Sequence, residues 1–182
     1  SSSAASDVYK RQVEEDLYAI ENEQHIFSDE DGNYYFDADN LEENILDYYL
    51  PKFNDAKLYR NPSSGSRAIG VPYEKDGEMK VFYPDFFFIT IDDDKTSVTI
   101  IDPHSTHLED SLPKLQGMAK YVEDNQDIFN MVKSISEIDK KDNTVRTLEL
   151  TEPAVRDHVL NANTINEAYE YNGIGAKKIK FG

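Results

Sequence analysis

Two aspartates stand where a hairpin of apolar strands would bring them together. Asp85 directly precedes the apolar run at residues 86–91, and Asp102 directly follows the run at residues 97–101. If these runs pair as antiparallel neighbours, the start of the first strand meets the end of the second. Two carboxylates at one sheet edge suit Mg²⁺, which prefers hard oxygen ligands. A metal held there could orient a water and stabilise the charge that develops on a phosphate under attack.

The elements around the two aspartates follow from hydrophobic patterning. Both runs are continuously apolar, which predicts central strands buried on both faces, with a charged turn at residues 92–95 between them. A helix is predicted over residues 111–124. Its expected core face is Leu112, Leu115, Met118, Ala119 and Val122. Lys114 shares a stripe with Asp110 beside that face, so it could point along the sheet edge toward the aspartates.

Turn and capping signals predict the remaining elements. They are a helix at 13–23, a strand at 34–36, a helix capped by Asn40 and Glu43 and ended by Pro51, a strand at 57–60, a hairpin of 68–73 with 79–83 turning at Asp76-Gly77, a hairpin of 130–138 with 144–150, a helix at 153–161 and a short helix capped by Thr164. The tail from Gly173 is predicted to be loose. This order indicates an α/β fold with a mixed central sheet flanked by helices.

Charge is unevenly distributed along the chain. The net charge is −17, which disfavours free binding to nucleic acid because phosphate contacts need Lys and Arg. Residues 13–55 hold fourteen acidic residues and one basic residue, whereas residues 56–73 hold three basic residues and no acid. The last ten residues hold three lysines and no acid. This pattern is compatible with DNA bound at one face, and equally with DNA bound mainly by a partner domain.

Composition excludes several classes of protein. The absence of cysteine excludes disulfides and thiolate metal sites and fits a reducing cytosol, so a cytoplasmic location is expected. No apolar run approaches the ~20 residues that a membrane span needs, so no membrane association is expected. No G-x-x-x-x-G-K-[ST] loop occurs, so this chain has no sequence signal for an ATP site.

Four short segments carry a resemblance to a known family. They are Leu58-Tyr59-Arg60-Asn61-Pro62, Tyr83-Pro84-Asp85-Phe86, Ile101-Asp102-Pro103-His104 and Lys114-Leu115-Gln116-Gly117. In this order they resemble the C-terminal part of type III restriction enzyme Res subunits and related DEAD/DEAH-box helicases, over about residues 40–150. Pro84-Asp85 with Asp102 resembles the PD-(D/E)XK nuclease core in particular.

The resemblance implies a Mg²⁺-dependent endonuclease that acts on DNA within a helicase-containing restriction or defence protein. It implies Asp85 and Asp102 as catalytic metal ligands, an upstream helicase domain that alone would bind ATP, and a methyltransferase or specificity subunit as a further partner. Arg60 and Arg67 are the candidate DNA contacts. One position departs from the pattern, because His104 stands where the family has lysine. Either His104 itself or Lys114 could serve in its place.

Alternative interpretations remain open from the sequence. The domain could be a degenerate nuclease fold that only binds DNA or docks on the helicase part, since fold does not guarantee activity. Asp102, His104, His107 and Asp110 could together bind Zn²⁺ or Mn²⁺. Lys114 could simply pair with Asp110 four residues earlier on the helix. Glu42 or Glu43 could add a carboxylate to the metal site, although a capping role for Glu43 is the preferred interpretation.

Four segments are predicted. Residues 1–12, SSSAASDVYKRQ, resemble a translated sequencing adapter and are interpreted as a non-native N-terminal artefact. Residues 13–39 are predicted to form an acidic helical or linker segment, and residues 40–161 the nuclease-like domain. Residues 162–182 are predicted to form a C-terminal helix and basic tail.

Overall fold

The chain divides into two compact units, Ser1–Tyr59 and Arg60–Gly182. The structure is a computed structural model that describes residues 17–182. The proposed artefact at residues 1–12 and the first part of the helix predicted from residue 13 lie outside the described residues. Among the described residues, no helix has the length and apolar content needed to cross a bilayer.

The first unit holds a small antiparallel ribbon, β1 (Tyr18–Ile20) and β2 (Tyr34–Phe36). The helix predicted over residues 13–23 is therefore wrong in its described part. Two observations explain the failure. Ile20 is fully buried in the strand, and Asn22 and Glu23 adopt positive φ angles of 57° and 55°, which are incompatible with a right-handed helix.

Helix α1 (Asn40–Tyr49) follows, then a 3₁₀ turn (Leu50–Phe53) and strand β3 (Lys57–Arg60). A capping box closes the start of α1, but one residue earlier than expected. Asp39 Oδ1 accepts the amide of Glu42 at 2.8 Å, and Glu42 Oε2 accepts the amide of Asp39 at 3.0 Å. Glu42 is therefore used as a cap, and Glu43 is not the capping partner.

A mixed sheet organises the second unit, in which β10 (Ala176–Lys180) is followed by β9, β8, β7 and β6. Its central strands are β6 (Phe86–Asp92), β7 (Lys95–Pro103), β8 (Phe129–Asp139) and β9 (Thr144–Glu149). β7 pairs antiparallel with β6 and parallel with β8, while β8 pairs antiparallel with β9. The prediction of an α/β fold with a mixed central sheet is confirmed.

A parallel pair needs a crossover connection, and helix α2 (Ser111–Asp124) supplies it between β7 and β8. Its bounds agree with the sequence prediction, and its fully buried side chains include Leu115, Met118 and Val122. The chain leaves β7 at Pro103 and enters α2 at Ser111. The C-terminal end of β7, where Asp102 lies, is therefore next to the loop that leads into α2.

The hairpin of β4 (Val71–Lys75) and β5 (Glu78–Phe82) packs against α2. Its turn has positive φ at both Asp76 and Gly77, as the Asp-Gly signal predicts. Gly117 lets the helix approach β4 closely. A Cβ on Gly117 would lie 2.5 Å from Tyr73 Cβ and 2.8 Å from the Pro72 carbonyl oxygen, so only glycine fits there.

The chain ends with α3 (Pro153–Asn161), the short helix α4 (Ile165–Tyr169) and strand β10 (Ala176–Lys180). The prediction of a loose tail from Gly173 is wrong, because β10 pairs antiparallel with β9 along its length. Without β10, strand β9 would be an edge strand whose outer N–H and C=O groups have no partners in the sheet. The tail supplies these partners by pairing with β9. Ile179 and Phe181 are 6% exposed, so the tail also adds to the core.

Ile179→Ala is expected to destabilise the second unit by about 2–5 kcal/mol, the usual cost of deleting a buried isoleucine side chain. Ile174→Ala, in the same tail but 80% exposed, is the matched control and should change stability by less than about 0.5 kcal/mol. Urea unfolding followed by circular dichroism measures both. Equal effects of the two substitutions would mean that β10 does not dock on β9 as described.

Candidate functional site

Strand register brings the two predicted aspartates together. Phe86 pairs with Ile101, which places Asp85 opposite Asp102 at the end of the β6–β7 ladder. The backbone amide of Asp85 donates to Asp102 Oδ1 at 3.2 Å. The sequence prediction that the start of one strand would meet the end of the next describes this arrangement.

Asp102 lies near the end of β7 and is 4% exposed. In register beside it on β8 is Ser134, whose hydroxyl lies 2.7 Å from the hydroxyl of Tyr169 on α4. Burial raises the pKa of Tyr169, and the negative charge of Asp102 raises it further, so Tyr169 stays a neutral phenol. The carboxylate of Asp102 is thus close enough to influence groups on α4.

Asn61 holds the other aspartate in place. It is 2% exposed, and its side-chain amide donates to the carbonyl oxygens of Pro84 and Ile69, both at 2.8 Å. Its backbone amide donates to the carbonyl oxygen of Asp85 at 2.7 Å. The loop after β3 is therefore fastened to the Pro84-Asp85 dipeptide by one buried asparagine.

His104 is enclosed by protein oxygens. It is 8% exposed, its Nε2 lies 2.6 Å from the carbonyl oxygen of Ser111, and its Nδ1 lies 3.5 Å from Asp102 Oδ2. Both ring nitrogens therefore face groups of the chain itself. His104 connects the end of β7 to the start of α2 and orients Asp102.

Lys114 reaches the same region from α2. Its ammonium lies 3.0 Å from Asp110 Oδ2, and the hydroxyl of Tyr73 donates to the same oxygen at 3.0 Å. Burial alone would raise the pKa of Asp110, but the hydrogen bonds from Lys114 and Tyr73 outweigh it and keep that pKa below its usual value. Burial and the bond to Asp110 raise the pKa of Tyr73.

These side chains line one pocket of about 330 Å³. Its wall includes Asp85, Asp102, His104, Lys114, Ser111, Tyr73, Tyr83 and the exposed apolar residues Val81 and Leu108. The structure thus brings together all four residues that the sequence suggested as catalytic. Arg60 lies on β3 and Arg67 in the loop before β4, and the lining of this pocket includes neither. Their proposed contact with DNA stays a prediction.

The two carboxylates of Asp85 and Asp102 fit Mg²⁺ better than they fit a metal that needs all of its ligands from the protein. Mg²⁺ is commonly held by one or two carboxylates and keeps several waters, so Asp85 and Asp102 are sufficient. Within residues 17–182, no group of three or more His, Cys, Asp or Glu side chains could hold a metal.

The alternative Zn²⁺ or Mn²⁺ cluster of Asp102, His104, His107 and Asp110 does not form. His104 faces Asp102 and Ser111, whereas Asp110 is bound by Tyr73 and Lys114. His107 is exposed and lines a different pocket.

Sequence reasoning missed Asn61, Tyr73 and the positioning role of Asp110. The sequence places Asn61 only within a motif, and Asp110 only as the partner of Lys114 and as a possible Zn²⁺ or Mn²⁺ ligand. The bonds from Asn61 to Pro84 and from Tyr73 to Asp110 join residues far apart in the chain. The position of Asn61 directly after a predicted strand, within the segment Leu58-Tyr59-Arg60-Asn61-Pro62, is the one sequence signal for its role, because a buried asparagine needs hydrogen-bond partners. No sequence pattern points to Tyr73.

Comparison with known proteins gives one family. A family model described as the YagJ family matches residues 23–179. The curated protein named Protein YagJ, from Escherichia coli (strain K12), is 35% identical over 139 residues, which cover 76% of this chain and 56% of that protein. The chain therefore spans little more than half the length of this relative. No solved structure matches the chain.

Proposed function

The chain belongs to the YagJ family, and we propose that it contains a Mg²⁺-dependent endonuclease domain with a PD-(D/E)XK core. One observation carries the proposal. Asp85 and Asp102, on adjacent strand ends, line the same pocket as the ammonium-bearing Lys114. Two carboxylates and one cation around a space of this size are groups that can carry out phosphodiester hydrolysis.

The order of elements supports the same assignment. A helix, strands β3, β6 and β7, helix α2 and strand β8 follow one another, with the hairpin β4–β5 as an insertion. Strands β8, β7 and β6 lie side by side. This is a mixed central sheet with a crossover helix, the scaffold that the sequence resemblance implies, and it puts both acids at one end of the central pair.

Each residue has a distinct role in this proposal. Asp85 and Asp102 would hold Mg²⁺, which when bound would supply the positive charge that stabilises the phosphate under attack. Lys114, held by Asp110, keeps a cation at the pocket wall, in place of the lysine that the PD-(D/E)XK pattern has where this chain has His104. His104 and Asn61 are positioning residues, which fix Asp102 and Asp85 respectively.

The proposed biological setting comes from the resemblance alone. It is a helicase-containing restriction or defence protein, in which an upstream helicase part binds ATP and DNA is the substrate. A methyltransferase or specificity subunit is the proposed further partner. The location proposed for this activity is the cytoplasm.

A non-catalytic nuclease fold is the second candidate. The replacement of lysine by His104 and the net charge of −17 favour it, since a degenerate site loses its catalytic cation and an acidic chain repels DNA. The position of Lys114 in the pocket wall favours the catalytic candidate, because it supplies the missing cation.

Direct cleavage assays separate the two candidates. The 182-residue chain is expected to convert supercoiled plasmid to nicked or linear DNA in Mg²⁺, and to leave it intact in EDTA. Ca²⁺ should support binding but not cleavage, because it tolerates looser geometry than Mg²⁺. Gel electrophoresis measures the products. A chain that binds DNA but never cuts it with Mg²⁺ or Mn²⁺ would establish the non-catalytic candidate.

A further inference from the structure

A second and larger groove, of about 900 Å³, lies in the same unit. Its wall is formed by the β7–α2 loop, the β8–β9 hairpin and the region of α4. The residues that matter for its chemistry are Thr106, His107, Lys140, Arg146, Tyr169 and Asn172. None of them belongs to the aspartate pocket.

Arg146 is the distinctive group of this groove. Its Nη2 donates to the carbonyl oxygen of Tyr171 at 2.6 Å and lies 3.4 Å from Asn172 Oδ1. Its Nε is buried and has no hydrogen-bond partner. Among the described residues, Arg146 forms no salt bridge with a carboxylate. A partly buried guanidinium without a counter-charge is costly, so an anionic ligand would relieve a cost already present in the fold.

Other cations extend the same face. Lys178 on β10 is the register partner of Arg146, so the two side chains project from the same face of the sheet. Lys140 lies in the β8–β9 turn and lines the groove. Glu137 and Glu170 also line it and are exposed, but neither pairs with Arg146. The groove is therefore not uniformly basic, and Arg146 is its principal anion-binding group. Lys178 lies outside the groove lining and adds a positive charge on the same face of the sheet.

The groove adjoins the aspartate pocket. The β7–α2 loop forms a wall of both, since His104 and Ser105 line the pocket while Thr106 and His107 line the groove. Tyr169 lines the groove, and its hydroxyl contacts Ser134, the register neighbour of Asp102. A polynucleotide with one phosphate at the aspartates could therefore extend past this loop into the groove.

From this geometry we infer that the Arg146 groove binds a phosphodiester of the DNA strand, offset along that strand from the phosphate at Asp85 and Asp102. The inference rests on the proposed function, because it names the part of the chain that holds the substrate beside the proposed catalytic pocket. Arg146 supplies the fixed fork of donors that suits a phosphate, and Lys178 a more mobile charge.

Binding in EDTA tests the inference without cleavage. A fluorescently labelled DNA duplex of about 20 base pairs, longer than a single-domain footprint, is titrated with the 182-residue chain and followed by anisotropy at several salt concentrations. Arg146→Gln is expected to weaken binding about tenfold, the loss of one charge-assisted hydrogen bond. The slope of log affinity against log salt should fall by about one. Arg146→Lys should keep the salt slope, which separates loss of the contact from loss of the fold.

Two neighbouring lysines give a matched control. Lys178→Gln should weaken binding several-fold, whereas Lys177→Gln removes the same charge from the opposite face of β10 and should leave affinity within about twofold. Circular dichroism melting checks that all variants fold.

The outcomes separate the inference from the proposed function. If Arg146→Gln binds DNA like the parent, the inference is overturned and the nuclease proposal stands. If the parent binds no DNA at any salt concentration, both are overturned. If inorganic phosphate displaces DNA more strongly than chloride of equal ionic strength, and only when Arg146 is present, phosphate and DNA compete for Arg146, which supports the inference.

Discussion

Asp85→Ala and Asp102→Ala are each expected to reduce the rate of Mg²⁺-dependent DNA cleavage by at least about a hundredfold. Removing one group that stabilises charge in the transition state usually lowers the rate by this factor. Each substitution removes one of two carboxylates available to the ion, and the described residues offer no third acid or histidine in a group that could replace it. Plasmid nicking and the rate of cleavage of a labelled duplex measure the effect.

The effect of these substitutions on stability must be distinguished from their effect on Mg²⁺ binding. Asp102→Ala also leaves the Asp85 amide without its acceptor and His104 without its neighbour, at a cost of about 1–3 kcal/mol for unsatisfied buried groups. Asp102→Asn keeps an oxygen for the Asp85 amide while removing the charge, so it should fold better and cleave equally poorly. Thermal unfolding of each variant reports the structural part.

Asp94→Asn is the matched control. Asp94 is exposed in the turn of the same β6–β7 hairpin, about 25 Å along the strands from Asp102 at the usual rise per residue. It removes the same charge and should leave cleavage within about twofold of the parent. If Asp85→Ala and Asp102→Ala cut DNA like this control, the nuclease proposal is wrong.

The sequence predicts most of the second unit because its signals are local. Two continuous apolar runs predict the central strands, helical spacing predicts α2, and turn and capping signals predict α3. Both helices have the predicted bounds. Asp76-Gly77 predicts the turn of the β4–β5 hairpin because both positions require positive φ. In each case the sequence signal is a pattern of residues that are close in the chain, so it can be recognised without knowledge of the fold.

The two wrong predictions, the helix at residues 13–23 and the loose tail from Gly173, arise from pairing between residues far apart in the chain. Residues 18–20 carry a helix-compatible pattern, yet they pair with β2 sixteen residues away, and that pairing outweighs the weak propensity. The lysine-rich tail has no strand pattern that separates it from a solvated terminus. It becomes β10 only because β9 exposes an edge.

The same division holds for the candidate site. The meeting of Asp85 and Asp102 follows from hairpin register, which sequence can predict. The clamp by Asn61 spans 23 residues and the bond from Tyr73 to Asp110 spans 37, so neither has a local signature. The lack of a hydrogen-bond partner for the buried Nε of Arg146 depends on all the groups around it, so only the folded structure reveals it.

Lys114→Ala is expected to lower the maximal cleavage rate by about a hundredfold while leaving the Mg²⁺ concentration for half-maximal activity unchanged. The ammonium lies in the pocket wall and is partly exposed, with only Asp110 as its ion-pair partner among described residues. It can therefore reach a phosphate, whereas both nitrogens of His104 already face Asp102 and Ser111. Lys114→Arg should recover part of the rate, and Lys120→Ala, on the same helix and bound to Glu123 and Asp124, should have no effect.

His104→Ala is expected to act in a different way. Removing the ring leaves the Ser111 carbonyl oxygen and one side of Asp102 without their partner, so stability should fall by about 1–3 kcal/mol. Because Asp102 then becomes mobile, more Mg²⁺ should be needed for half-maximal cleavage, and saturating Mg²⁺ should restore most of the rate. Cleavage rates across a Mg²⁺ titration, with a melting curve for each variant, measure both effects. If His104→Ala instead loses the rate at saturating Mg²⁺ and Lys114→Ala does not, the histidine itself acts on the reacting groups and the assignment of the catalytic cation to Lys114 is wrong.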